Sequence, residues 1–563
     1  MLVFIFIVFL FSCSTPQGLT DYWNSIQKRA ESTTGMVVSG HPLASQAGIR
    51  IMQKGGNAVD AAIATQLALA VVYPRAGNLG GGGFMVYRAA DGKVDALDYR
   101  EKAPAAAKRD MYLDKNGIPT KQSIEGPLAS GVPGTIDGLI TASQKYGKLP
   151  FSTLIEPAIE YATKGYKITK DEATRFNGNK AVFSKYNEKA AFIKSDEWKT
   201  GDVLVQPELA KTLGLIKAQG RKGFYEGTVA NLIVSKLKSG NGIITLNDLA
   251  SYHSVWRKPV TGQYKDCKII SMPPPSSGGI ALLQLLKMVE PYPLKAWGPR
   301  DVRTIHLLTE TERRVYADRA QYLGDEDYFH VPKDSLLDPR YLKYRMSDFD
   351  SLHATSSQSV FAGNFKMALE HFETTHLSVV DKDGNAVSVT TTLNGNFGSK
   401  VVVDGAGFFM NNEMDDFSVK PGSPNMFGLI GGDANSIQPG KRMLSSMTPT
   451  IVEKNGKLYI VVGSPGGSTI ITSVFQTILN CLEWGMPIDK AVAYPRFHHQ
   501  WLPDEIMTEN NAFDDALKTK LSALGHKMRG IAYIGLVDAI QMDGNGKIIG
   551  GADPRGDDAA VGR

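Results

Sequence analysis

Glu373-Thr374-Thr375-His376-Leu377-Ser378-Val379-Val380-Asp381 is the stretch on which the reading of this chain turns. Two threonines open a short alternating strand deep inside a long sequence. A threonine hydroxyl is a weak nucleophile until a base stands beside it. A cut before Thr374 supplies that base on the same residue, as the freed α-amino group. Such an amine titrates at about 7.7–8.0, close to working pH, as a general base should.

Outward from the threonines, Leu377-Ser378-Val379-Val380 and Ala386-Val387-Ser388-Val389 flank Asp381-Lys382-Asp383-Gly384-Asn385. Asp-Gly between β-rich runs signals a hairpin. With Asp383-Gly384 as a two-residue turn, Lys382 pairs with Asn385, Thr375 faces Thr392 and Thr374 faces Leu393. One bulge would instead put Asn394 opposite Thr374. In either register Thr392 and Asn394 end beside the candidate nucleophile. The same turn does not make a calcium loop. An EF-hand needs glycine sixth and an acid twelfth; here Gly384 is fourth and Thr392 is twelfth.

At 563 residues the chain exceeds one ordinary core, so two large packing units are expected. The net charge of +5 comes from 62 basic and 57 acidic residues, which are interspersed rather than clustered, and this argues against a nucleic-acid partner. Residues 2–11 are an unbroken apolar run ended by Ser12-Cys13. About 20 apolar residues are needed to span a bilayer, so the run reads as a signal-peptide core over residues 1–12. Leu10-Phe11-Ser12-Cys13 resembles a lipobox, which makes Cys13 the lipidated first residue of an exported protein of the periplasm or cell envelope. An ordinary cleaved signal peptide is the alternative. Membrane contact is expected only through that anchor. Cys267 and Cys481 read as free buried cysteines.

Residues 13–34 are polar and read as a tether with a first short helix; the folded part is expected from 35 to 373 and from 374 to 563. From Gly35 strands alternate with helices: a strand at 36–39, helices at 42–54 and 58–72, a glycine run at 80–83, and strands at 84–87 and 95–99. Residues 150–250 read as mostly helical. Residues 330–373 are weakly patterned and read as an exposed linker that tolerates cutting.

Three polar clusters could carry chemistry. Asn411-Asn412-Glu413-Met414-Asp415-Asp416 could hold an ammonium group or be a solvated strand-end turn. Lys441-Arg442-Met443-Leu444-Ser445-Ser446 supplies hydroxyls after a loop. Gly463-Ser464-Pro465-Gly466-Gly467-Ser468 joins a strand to an apolar helix, a junction whose N–H groups can hold an oxyanion. No Gly-Lys-Ser/Thr follows it, so it is no P-loop. His371, His376, His498 and His499 lack metal-ligand spacing, and His498-His499 reads as structural. No metal or cofactor is expected.

Together these motifs resemble the γ-glutamyltranspeptidase family. Thr374-Thr375-His376, Thr392-Leu393-Asn394, Asn411 to Asp416, Leu444-Ser445-Ser446-Met447 and Gly463 to Gly467 follow its order and spacing. Asn78-Leu79-Gly80-Gly81-Gly82-Gly83, Tyr99-Arg100-Glu101, Pro273-Pro274-Pro275-Ser276-Ser277 and Pro495-Arg496-Phe497-His498-His499 match as well.

The resemblance implies an α+β N-terminal-nucleophile hydrolase: a four-layer αββα sandwich, two stacked antiparallel sheets between helix layers. It implies self-cleavage between Glu373 and Thr374 into associated large and small subunits. Thr374 would form a γ-glutamyl ester, Thr392 would orient it, and the N–H groups of Gly466 and Gly467 would form the oxyanion hole. Water gives hydrolysis of glutathione and other γ-glutamyl compounds; an amino acid or dipeptide acceptor gives transfer. Arg100, Ser445 and Ser446 suit the α-carboxylate. Asn394, Glu413 and Asp416 suit the α-ammonium. Residues 421–442 resemble the lid loop of some members, with Phe427 where tyrosine is common. Two alternatives stand beside this reading: a glutaryl or cephalosporin-type acylase on the same fold, and a lipid-anchored solute-binding protein that stays one chain.

Overall fold

The computed structural model describes residues 26–361 and 374–563. The expected signal peptide, Cys13, His371 and Glu373 lie outside the described residues.

Two seven-stranded sheets form the body. The first runs, in spatial order, Ala559–Gly562, Gly35–Ser39, Thr375–Asp381, Ala386–Thr392, Gly82–Arg88, Val94–Asp98 and Val255–Arg257, every pair antiparallel. The second runs Arg29–Ser32, Ile548–Gly551, Asp538–Met542, Lys457–Gly463, Thr450–Lys454, Cys267–Ser271 and Val260–Tyr264, also antiparallel throughout.

The period-2 alternation of side chains sorts these strands into layers. In the first sheet Val37, Val379, Val389, Met85 and Leu97 face a helical layer. Their neighbours Met36, Val38, Val380, Phe84, Val86 and Ala96 face the second sheet, against Ile270, Ile451, Val461 and Ile540. On the far side Ile269, Val452, Ile460 and Val462 meet the helices Gly278–Val289 and Ile470–Leu482. The result is the expected αββα stack. Because both faces of each sheet are covered, a strand such as Thr375–Asp381 is buried along its whole length.

The helix Ala58–Val72 fixes the central hairpin. All its residues are buried, as befits a helix that is apolar on every side. Asn57 caps it in a capping box with Asp60. Its first amide, on Ala58, donates to Asp381 Oδ2 at 3.0 Å. The other oxygen of Asp381 accepts the N–H groups of Asp383 and Asn385. One carboxylate thus ties the hairpin turn to the helix N-terminus.

That tie corrects the expected register. The loop holds three residues, Lys382-Asp383-Gly384, closed by Asp381 N–H to Asn385 O at 3.1 Å. Gly384 takes φ +86°, the left-handed position of a three-residue hairpin. Thr375 therefore pairs with Thr391, not Thr392. Thr374, one residue earlier, comes level with Thr392, and neither Leu393 nor Asn394 stands opposite it.

Two further expectations change. Within the stretch expected as tether and short helix, Arg29–Ser32 is an edge strand paired with Ile548–Gly551. Within the expected linker, Lys333–Leu337 and Pro339–Arg345 are helices anchored by buried Leu336 and Leu342. Cys267 and Cys481 are free and buried. No helix among the described residues is long and apolar enough to cross a membrane.

Candidate active site

Thr374, Thr392, Arg100, Arg319, Asn394, Asp416, Ser445, Ser446 and Gly467 line one pocket, with Phe427, Leu429, Met447 and Ile470. Seven separate stretches and one long helix converge there. The hairpin brings the hydroxyls of Thr374 and Thr392 to 3.5 Å. This exceeds a formed O–H···O bond of about 2.5–3.0 Å but is within reach of small side-chain adjustments. Thr392 Oγ1 accepts the N–H of Asn394 at 2.7 Å. Asn394 sits at φ +75°, a conformation asparagine tolerates, and donates its amide to Asn412 O at 3.0 Å.

Gly466 and Gly467 lead into the helix Ile470–Leu482 through a single 3-10 turn. Amides that head a helix have no acceptor within it, which leaves them for a ligand. At both positions a side chain is barred. Gly466 has φ +136° and Gly467 φ +53°, and a Cβ on Gly467 would lie 2.7 Å from the Phe427 ring. Phe427 is thus seated on the glycine turn. With it in place the pocket keeps ≈ 20 Å³ of room, about enough for a single water. A γ-glutamyl group is larger than a water, so part of this lining, in which Phe427 covers the glycine turn, has to shift to admit one.

Charge gathers on the opposite wall. Arg100 follows the strand Val94–Asp98 and is completely buried. Its guanidinium lies 2.6 Å from Glu413, 2.5 Å from Asp416 and 3.6 Å from Glu101. Burial opposes the Arg100 charge, but the three carboxyls around it hold it on. The same burial lifts the acids: Glu101 is pushed up to about 8, and Glu413 and Asp416 are raised too, with Arg100 opposing in each case. Three carboxyls crowded around one guanidinium in a desolvated site repel one another, which favours a retained proton in the cluster.

Ser445 and Ser446 are held from behind. The backbone N–H and hydroxyl of Ser277 both donate to Ser445 O, at 2.8 and 2.7 Å. Arg319 Nη2 donates to Ser446 Oγ at 3.0 Å.

Of the residues singled out in the sequence, Gly466 and Glu413 flank the pocket lining rather than belong to it; Glu413 reaches the site through Arg100. Sequence reasoning missed Arg319 and gave Glu101 no role. Arg319 lies in a helix, Val302–Tyr322, that is rich in Arg and Glu, yet its residues 304–320 are buried. The histidines are structural. His376 binds Thr390 and Ser378, and His498 binds Thr472 and Gln500; burial lowers both to about 3, so they are neutral. Among the described residues His306, Glu310 and His526 bring potential metal ligands together, but none lines this pocket. Glu310 there is committed to Arg313 and Arg314, and the two histidines bond each other.

Comparison with known proteins gives this arrangement a context. The sequence profile of the gamma-glutamyltranspeptidase family matches residues 44–563. A glutathione hydrolase proenzyme of Escherichia coli is 46% identical over 534 residues, covering 94% of this chain and 92% of the relative. Among solved structures, a cephalosporin acylase from Bacillus halodurans superposes with TM-score 0.83 at 26% identity, covering 98% of this chain and 99% of its own. A Helicobacter pylori gamma-glutamyltranspeptidase chain gives TM-score 0.56 at 46% identity, covering 58% of this chain and 94% of its own.

Proposed function

This chain belongs to the γ-glutamyltranspeptidase family, and on that premise we propose how its residues divide the work. The protein is an autoprocessed glutathione hydrolase and γ-glutamyltransferase. Cleavage between Glu373 and Thr374 frees the amine of Thr374 and leaves two associated subunits. The amine takes the proton of Thr374 Oγ as that oxygen attacks the γ-carbonyl carbon, and returns it to the leaving amine. The product is a γ-glutamyl ester on Thr374. Water then releases glutamate; an amino acid or dipeptide amine takes the γ-glutamyl group instead. Thr392 orients the attacking oxygen. The amides at Gly466 and Gly467 receive the oxyanion.

Recognition rests on an exchange of partners. Arg100 pairs with both Glu413 and Asp416. A γ-glutamyl group brings an ammonium for Glu413, Asp416 and Asn394, and a carboxylate for Arg100, Ser445 and Ser446. Arg100 and the two acids thus exchange one partner of opposite sign for another. A glutaryl group lacks the ammonium and leaves the acids nothing new, which argues for γ-glutamyl over glutaryl substrates. The apolar run at 2–11 and Ser12-Cys13 support export to the cell envelope, with Cys13 as lipid anchor.

The observation that carries this reading is the 3.5 Å approach of Thr374 to Thr392 in the pocket that holds Arg100, Asp416 and Ser446. Hydrolysis of a γ-glutamyl anilide against a glutaryl anilide tests it. Preference for γ-glutamyl is expected; preference for glutaryl would transfer the chain to the acylase reading.

A further inference from the structure

We propose that Arg319 is a second positioning residue for the α-carboxylate of the γ-glutamyl group, acting through the Ser446 hydroxyl. The proposal rests on the γ-glutamyl reading above and names what sets its specificity.

Arg319 is 4% exposed and lines the pocket. Its hydrogen-bond partners are neutral, and the acid that its charge feels, Asp416, is already paired with Arg100. Nε donates to Ser277 Oγ at 2.9 Å and Nη2 to Ser446 Oγ at 3.0 Å. It makes no ion pair among the described residues. Every other buried arginine there does: Arg75 with Asp171, Arg88 with Glu453, Arg100 with Glu413, Arg257 with Asp98, Arg313 with Asp504, Arg314 with Glu310, Arg442 with Asp98 and Arg496 with Asp553. A buried cation without a counter-ion in direct contact is costly. A guanidinium does not shed its proton to escape that cost. Its position at the pocket wall points to an anion that arrives with the substrate.

The hydroxyls show which anion and where. Ser277 spends its hydrogen on Ser445 O while accepting from Arg319, so it locks the guanidinium in place. Ser446 Oγ also accepts from Arg319, but its own hydrogen has no acceptor among the described residues. A hydroxyl that accepts from a cation donates more strongly. Ser446 is thereby set to donate to a carboxylate oxygen in the pocket, with the Arg319 charge behind it. Arg100 alone could not serve, since three carboxyls already surround it.

The test compares two anilides that differ only in the α-carboxylate: γ-glutamyl and 4-aminobutyryl. Arg319→Gln is expected to raise KM for the γ-glutamyl anilide about ten- to a hundredfold, the range for a lost charged hydrogen bond, with kcat little changed. KM for the 4-aminobutyryl anilide should stay put, so the preference between them falls by the same factor. Arg100→Gln should weaken both substrates, because it also unbalances the acids that meet the ammonium. Arg319→Lys should recover part of the preference. If Arg319→Gln fails to self-cleave, Arg319→Lys is read in its place and should show a smaller loss of the same kind. An unchanged preference in the processed variant overturns the proposal while leaving the γ-glutamyl reading intact. A wild-type protein inert on γ-glutamyl anilide overturns both.

Discussion

The two walls of the pocket are built on opposite principles. The wall proposed to carry the chemistry is neutral: two threonine hydroxyls at the ends of paired strands, with Gly467 and the flanking Gly466 at a helix start. The wall proposed to recognise the substrate is crowded with charge: Arg100, Arg319 and Asp416, with Glu101 and Glu413 behind Arg100. Strand pairing fixes the first with little freedom. Electrostatic balance fixes the second, and that balance changes when a zwitterion enters. Damage to the neutral wall should therefore abolish turnover, and damage to the charged wall should chiefly weaken binding.

The largest effect is expected from Thr374→Ala. It removes both attacking oxygen and the reason for the cut, so the chain should stay whole and turnover should fall by about 10⁴ or more. A gel that shows this variant cleaved would break the link between cutting and catalysis. Arg100→Ala comes next. Breaking a buried pair on one side costs about 3–5 kcal/mol, and we expect kcat/KM to drop by roughly 10²–10³, mostly through KM; steady-state kinetics with an unmoved KM would remove Arg100 from recognition.

The proton held by the acid cluster gives the third test. Burial lifts Glu101 to about 8. Below that pH the substrate ammonium must displace a proton, and above it the cluster is already ionised. Inhibition by glutamate should therefore tighten as pH rises from 6 towards 8, by up to about tenfold per unit, and then level off. An inhibition constant flat across that range would mean the cluster carries no proton to release. The smallest effect belongs to the cover. Phe427→Tyr keeps the ring on Gly467, so a change of only about two- to threefold in KM is expected, against about tenfold for Phe427→Ala, whose lost packing contact is worth ~1–3 kcal/mol. Equal KM values for the two variants would show that the ring does not contact bound substrate.

What the sequence made legible follows from range. The alternating runs around Asp383-Gly384 specified a hairpin, and the four-layer stack was expected from the family resemblance. The register was missed by one residue because Asp381 is drawn to the N-terminus of the helix Ala58–Val72, a contact more than 300 residues away in sequence. The edge strand Arg29–Ser32 was hidden for the same reason, since its partner is Ile548–Gly551. Thr374, Thr392 and Arg100 could be found because motif and chemistry coincide. Arg319 could not: an arginine among charged residues of a helix looks solvated, and only three-dimensional burial without a counter-ion singles it out.

All of this depends on one broken bond. The most direct measurement is the mass and N-terminal sequence of the purified wild-type protein. The account requires a smaller fragment that begins Thr374-Thr375-His376 and ends at Arg563. An active protein that remains one uncut chain, or a fragment that begins at any other residue, would contradict it.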